Sequence, residues 1–97
     1  MITDERAEKA LRYLAETDLS CAEAKANMER AEYKAKATKQ AVFRMTEGSV
    51  AERTAVAETS GQYFLAMREY GHIANKRETE RIVMDTWRTI QANRRQG

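Results

Sequence analysis

Small and apolar residues recur along the first half of this chain with a period of seven. Ala7, Leu14, Cys21, Met28, Ala35 and Val42 form one series, and Ala10, Thr17, Ala24, Ala31, Thr38 and Met45 follow three residues after each. This spacing places all twelve on one stripe of an α-helix, the a/d seam of a coiled coil. Thr3, with Asp4 and Glu5 behind it, supplies a capping oxygen and first-turn acids, so a first helix is predicted over about residues 3–46. The chain contains no proline, and its one strong break is Glu47-Gly48-Ser49. Gly48 suits the left-handed conformation that closes helices, and Ser49-Val50-Ala51-Glu52 reads as a capping box. A turn at 47–49 and a second helix over about 50–95 follow.

The second half is less regular. Tyr63, Met67, Tyr70 and Ala74 make one helical stripe, and Val83, Trp87 and Ile90 another, with polar Asn75-Lys76-Arg77-Glu78-Thr79-Glu80-Arg81 between them. Gly61 and Gly71 each cost about 1 kcal/mol relative to alanine inside a helix. A kink is expected near Ser60-Gly61 or Gly71, and an alternative reading splits the chain into three helices at one of them. Nothing reads as a strand. The expected fold is all-α: one domain over 1–97, built as a long antiparallel helical hairpin.

Charge supports the hairpin. Residues 1–24 carry net −3 and residues 76–97 net +3, while residues 25–46 carry +4 and residues 47–75 carry −2. Folding at Gly48 sets opposite signs face to face. It also makes neighbours of residues whose numbers add to about 97, pairing Arg12 with Asp85, Glu16 with Arg81, Glu29 with Arg68 and Lys39 with Glu58. Arg44 opposite Arg53 is a mismatch. Exposed pairs of this kind contribute about 0–1 kcal/mol each and set register more than stability.

Such a hairpin would be a rod of about 65–70 Å with a thin core, because five of the twelve first-helix seam positions are alanine and stability follows buried apolar area. Tyr63-Phe64-Leu65-Ala66-Met67 is apolar on every side, the mark of a helix buried on more than one face. A homodimer or higher homo-oligomer is therefore expected, most simply two hairpins in a four-helix bundle. Its interface is drawn from Tyr63, Phe64, Leu65, Met67, Tyr70, Ile73, Val83, Trp87 and Ile90.

Composition narrows the function classes. A chain of 97 residues with aromatics at 7% and a net charge of +2 makes one small domain with little electrostatic demand for nucleic acid or an anionic membrane. One cysteine leaves no disulfide within these 97 residues, no membrane-length apolar run occurs among them, and the charged Thr3-Asp4-Glu5-Arg6 makes a secretory leader unexpected. A cytoplasmic protein with no membrane association is expected.

Candidate chemistry is sparse. His72 is the one histidine, without a second histidine or a cysteine at ligand spacing. Cys21 occupies a seam position, where a free thiol acts as a small apolar residue. Glu69-Tyr70-Gly71-His72 has the Glu-x-x-His spacing of carboxylate-bridged di-iron bundles, but those need a second such motif and two further inward carboxylates. No catalytic, cofactor or metal residues are assigned, and neither enzyme activity nor a small-molecule substrate is expected.

Basic residues are the remaining candidates. Lys34, Lys36, Lys39 and Arg44 cluster toward the turn, and Arg88, Arg94 and Arg95 toward the other end beside Trp87. Cations next to an aromatic suit phosphate contact and base stacking, and arginine, tryptophan and tyrosine equally anchor protein interfaces. The plainer reading is a solvated face, with terminal arginines favoured by the helix dipole.

Val50-Ala51-Glu52-Arg53-Thr54-Ala55, Met84-Asp85-Thr86-Trp87-Arg88-Thr89-Ile90 and Gln91-Ala92-Asn93-Arg94-Arg95-Gln96-Gly97 resemble small helical proteins of unassigned function from tailed bacteriophages and prophages. The resemblance runs along most of the chain and implies an early-region product in the host cytoplasm, encoded near recombination and single-strand-binding genes. It carries over no functional residue. The function expected is that of a non-enzymatic accessory protein that binds a host or phage protein or DNA, in recombination or replication. The alternative is a purely structural oligomeric adaptor without nucleic-acid contact.

Overall fold

The structure, a computed structural model, describes residues 1–43 and 49–96. It consists of two α-helices, α1 (Asp4–Phe43) and α2 (Val50–Gln96), with no strand among the described residues. Arg44, Met45, Thr46, Glu47 and Gly48, which carry the expected end of the first helix, its turn and one candidate basic residue, lie outside the described residues, as does Gly97. No described helix is long and apolar enough to cross a membrane.

Both helix starts are closed by the side chains expected to close them. Thr3 Oγ1 accepts the Arg6 amide at 3.0 Å, and the Thr3 carbonyl accepts the Ala7 amide at 3.0 Å. At α2 the capping box is complete. The Glu52 amide donates to Ser49 Oγ at 3.2 Å, and the Ser49 amide donates to the Glu52 carboxylate at 3.0 Å, so two otherwise orphaned amides are satisfied reciprocally. Arg94 and Arg95 occupy the last turn of α2, where cations favour the helix dipole.

α2 continues unbroken through Gly61 and Gly71, and no described glycine adopts a positive φ. The three-helix alternative therefore does not hold. The two glycines stand ten residues apart among good helix formers, and their separate costs are outweighed by the packing of the surrounding turns.

Packing divides the chain into two compact units, residues 1–21 with 72–97 and residues 22–71. In the first unit α1 and α2 run antiparallel: Asp4 meets Trp87, Arg6 meets Glu80, Tyr13 meets Lys76 and Leu14 meets Arg77. These numbers add to 91, 86, 89 and 91, below the expected 97. The register in this unit is set by its own contacts, the Arg6–Glu80 pair and the Arg77 bonds to Leu14 and Thr17, rather than by the charge blocks. None of the four expected ion pairs forms; Arg81 turns to Glu78 and Asp85 to Arg88 on their own helix.

The α1 seam is where the seven-residue period places it, and every described member is buried or half-buried. α2 has an equally regular seam that was not anticipated. Glu52, Val56, Thr59, Tyr63, Ala66, Tyr70, Ile73, Arg77, Glu80, Met84, Trp87 and Gln91 are all buried or half-buried, and they alternate by four and three residues without interruption. The polar segment 75–81 thus supplies two seam members, Arg77 and Glu80, while its other residues are exposed.

The core of the first unit is small. Ala7, Ala10 and Met84 are buried, with Leu14, Val83 and Trp87 packed against them. Ala10 is wholly inaccessible, as close helix approach requires, and each alanine removes little apolar area from water. In the second unit Ala24 and Thr59 are buried, and the Thr59 hydroxyl is satisfied by the carbonyls of Ala55 and Val56 at 3.0 and 3.2 Å.

Candidate interaction surfaces

Two charged side chains of α2, Arg77 and Glu80, occupy seam positions in the first unit, and α1 meets both. Arg77, with its side chain 12% exposed, donates to the Leu14 carbonyl and to Thr17 Oγ1 at 2.7 Å each, and to the Asp18 carboxylate at 3.4 Å. The Thr17 hydroxyl in turn donates a hydrogen bond to the Tyr13 carbonyl at 2.7 Å. Glu80 receives a two-pronged pair from Arg6 at 2.6 and 2.9 Å. Bonds from Arg6 hold the Glu80 carboxyl below the usual range, outweighing desolvation, with Lys76 and Lys9 adding to the effect. Lys76 sits over the Tyr13 ring at 4.7 Å, within cation–π range.

Trp87 borders two grooves of this unit. Its indole Nε1 donates to Asp4 Oδ1 at 2.9 Å, which fixes the ring between two open grooves. One, of about 250 Å³, is lined by Asp4, Ala7, Glu8, Leu11, Met84 and Trp87. The other, of about 320 Å³, is lined by Trp87, Arg88, Gln91, Ala92 and Arg95. Acid thus borders the first groove and guanidinium the second. Arg94 points elsewhere and donates to the Met1 sulfur at 3.8 Å.

In the second unit Tyr63 and Tyr70 are half-buried in the seam. Phe64, Leu65 and Met67 are 57%, 62% and 42% exposed, and form an apolar arc beyond the seam. Lys34, Lys36 and Lys39 are exposed. Lys36 pairs with Glu32 at 2.7 Å, a bond that raises its pKa. Lys36, Lys39, Gln40 and Phe43 line a shallow depression on one helix face.

The expected interface residues therefore fall into two groups. Tyr63, Tyr70, Ile73 and Trp87 serve the seam within the chain, and Val83 and Ile90 flank it half-buried. Phe64, Leu65 and Met67 remain open. Arg77, Glu80 and Leu11 were not singled out by sequence. The signal was the seven-residue step itself: continued from Tyr63 and Tyr70 it reaches Arg77 and Met84, and from Ala66 and Ile73 it reaches Glu80 and Trp87.

His72 is exposed and Cys21 is a half-buried free thiol. Among the described residues no three His, Cys, Asp or Glu side chains gather as a metal site. Comparison with known proteins finds no matching family model, no matching curated protein and no matching solved structure.

Proposed function

We propose that this chain is a non-enzymatic binding protein that self-associates through its helices and offers the assembled surface to a protein partner. The observation that carries this reading is the open arc of Phe64, Leu65 and Met67, three large apolar side chains left in water beside a seam already filled by Tyr63, Ala66 and Tyr70. Contiguous exposed apolar surface on a small soluble chain marks an interaction site, and covering it would supply the apolar burial that an alanine-rich seam lacks. The resemblance to phage and prophage proteins sets this role in the cytoplasm of an infected or lysogenic host, as an accessory to recombination or replication.

Sedimentation velocity on the wild-type chain and on the Phe64→Gln, Leu65→Gln pair tests it. The expected result is an oligomer for the wild type and a smaller species for the pair, with helical circular dichroism retained. A wild-type monomer at tens of micromolar, or an unchanged size for the pair, overturns the reading.

A second reading, DNA binding, draws on the groove that joins Trp87 to Arg88 and Arg95 and on exposed Lys34 and Lys39. Phosphate contacts release counterions, so affinity would fall steeply with salt. Replacing Arg88, Arg94 and Arg95 with Gln should flatten that dependence; no retention of labelled single- or double-stranded DNA even at low salt ends this reading.

A further inference from the structure

In the second unit, residues 22–71, the side of α2 turned away from its seam carries a short pattern that is complementary to itself. Val56, Thr59, Tyr63, Ala66 and Tyr70 form the buried and half-buried seam. Glu58, Gly61, Leu65 and Arg68, spaced by three, four and three residues, share the opposite side of the helix, and all four are exposed. Leu65 is 62% exposed, and Phe64 at the edge of this side is 57% exposed. A Cβ built on Gly61 meets no atom within 4 Å, so the turn before Leu65 is open.

The two charges on this side are unspent. Among the described residues neither Glu58 nor Arg68 makes an ion pair. Their own helix offers them none, because no cation stands three or four residues from Glu58 and no anion stands that far from Arg68. Arg81 and Arg88 differ in this respect, since each meets an acid three residues away.

An isologous interface must be complementary to itself. Two α2 helices packed antiparallel by this side, about a two-fold axis level with Tyr63, bring residues whose numbers add to 126 opposite each other. Glu58 then faces the partner's Arg68, and Arg68 faces the partner's Glu58. Leu65 lies over the partner's Gly61, and the same contact repeats across the axis. Phe64 and Gln62, one residue to either side of the axis, meet their own counterparts on opposite flanks. Each charge of residues 58–68 on this side thus has an unpaired opposite charge to meet, and each leucine has an open turn to enter.

We propose that the outer side of α2 over residues 58–68 docks antiparallel on the same side of a second copy, with Leu65 seated on Gly61 and Glu58 paired with Arg68 in both directions. The inference rests on the self-association reading above and gives that contact its orientation and register. Leu65 and Phe64 supply the apolar burial, and the exposed charge pairs select the register.

Charge reversal in the full chain tests it. Glu58→Arg alone sets arginine against arginine at both ends of the contact, and Arg68→Glu alone sets glutamate against glutamate. Each variant should self-associate about tenfold or more weakly than wild type in low salt, with unchanged circular dichroism, because like charges juxtaposed at an interface are disfavoured. In an equimolar mixture every reversed side chain meets an opposite charge, so native mass spectrometry should show a heterodimer in excess over either homodimer.

Self-association that neither reversal weakens, or a mixture without excess heterodimer, overturns this docking geometry. The self-association reading then still stands if the Phe64→Gln, Leu65→Gln pair reduces the size of the oligomer. A wild-type monomer at tens of micromolar overturns both.

Discussion

Arg77 reaches across from α2 to donate to the Leu14 carbonyl and the Thr17 hydroxyl of α1, each at 2.7 Å. Both acceptors have other attachments, Leu14 to its own helix and Thr17 to the Tyr13 carbonyl. Removing the guanidinium therefore orphans no buried group. Arg77→Ala should lower unfolding free energy by about 2 kcal/mol, the usual scale for hydrogen bonds from a charged donor. Arg77→Leu keeps the seam filled and should cost little or even stabilise, as apolar replacements of buried charged groups often do. Urea denaturation of both variants checks the contrast. Equal losses would mean that hydrogen bonding rather than filled volume matters at this position.

Glu80 makes stability depend on pH in a defined direction. Arg6 holds its folded-state pKa below the ordinary glutamate value, which is about 4.3. A depressed folded pKa means that the unfolded chain binds the proton more readily. The contribution is therefore complete above about pH 4.3 and disappears as pH falls through the lower folded value. Arg6 stays protonated throughout and adds no slope of its own there. Glu80→Gln should reduce stability at pH 7 and flatten the decline between pH 5 and pH 3. Denaturant midpoints measured across that range provide the check, and identical slopes for both proteins would remove Glu80 from the acid response.

Much of the fold was legible because α1 advertises it. Alanine, leucine, cysteine and methionine at strict seven-residue steps leave one helical stripe to bury, and Thr3, Ser49 and Glu52 are residues whose side chains close helix starts. α2 was harder for a physical reason. Its seam passes through Arg77 and Glu80 and keeps Thr59 and Gln91 inside, so apolarity alone breaks the stripe in two. Hydrogen bonds from Arg6 and to Leu14 and Thr17 make those inward polar groups tolerable, and their donors and acceptors sit about sixty to seventy residues away in sequence. The charge blocks gave orientation but not register, because arginines such as Arg81 and Arg88 meet acids on their own helix. The interaction surfaces were half legible: Phe64 and Leu65 stood out, whereas Leu11 gains meaning only beside Trp87.

The capping box of α2 should matter beyond one turn. Ser49 and Glu52 satisfy each other's amides at the point where α2 enters the second unit, and Val50 beside them is exposed, so packing offers little substitute. Ser49→Ala should cost about 1 kcal/mol, within the range for lost N-caps. Ser49→Asp should retain most of the stability, since a carboxylate both caps and suits the helix dipole. Hydrogen exchange at the amides of residues 50–54 gives the local readout: faster exchange for the alanine variant and near-native exchange for the aspartate variant.

Gly61 and Gly71 test whether anything covers the outer faces of α2 in solution. Both lie inside a continuous helix, and a Cβ built at either meets no atom within 4 Å. Within the chain, alanine has room at each and should stabilise the helix by about 0.5–1 kcal/mol, partly by restricting the unfolded chain. Ten residues apart with no shared contact, the two gains should add to about 1–2 kcal/mol and raise the melting temperature by several degrees for a chain of this size. A loss at one glycine only would locate a second molecule packed closely against that turn, because the chain itself leaves the space empty. Thermal unfolding of Gly61→Ala, Gly71→Ala and the pair, at two protein concentrations, separates the outcomes: gains from helix propensity alone should leave the concentration dependence of melting as it is in the wild type, whereas steric interference with a neighbouring copy should reduce it.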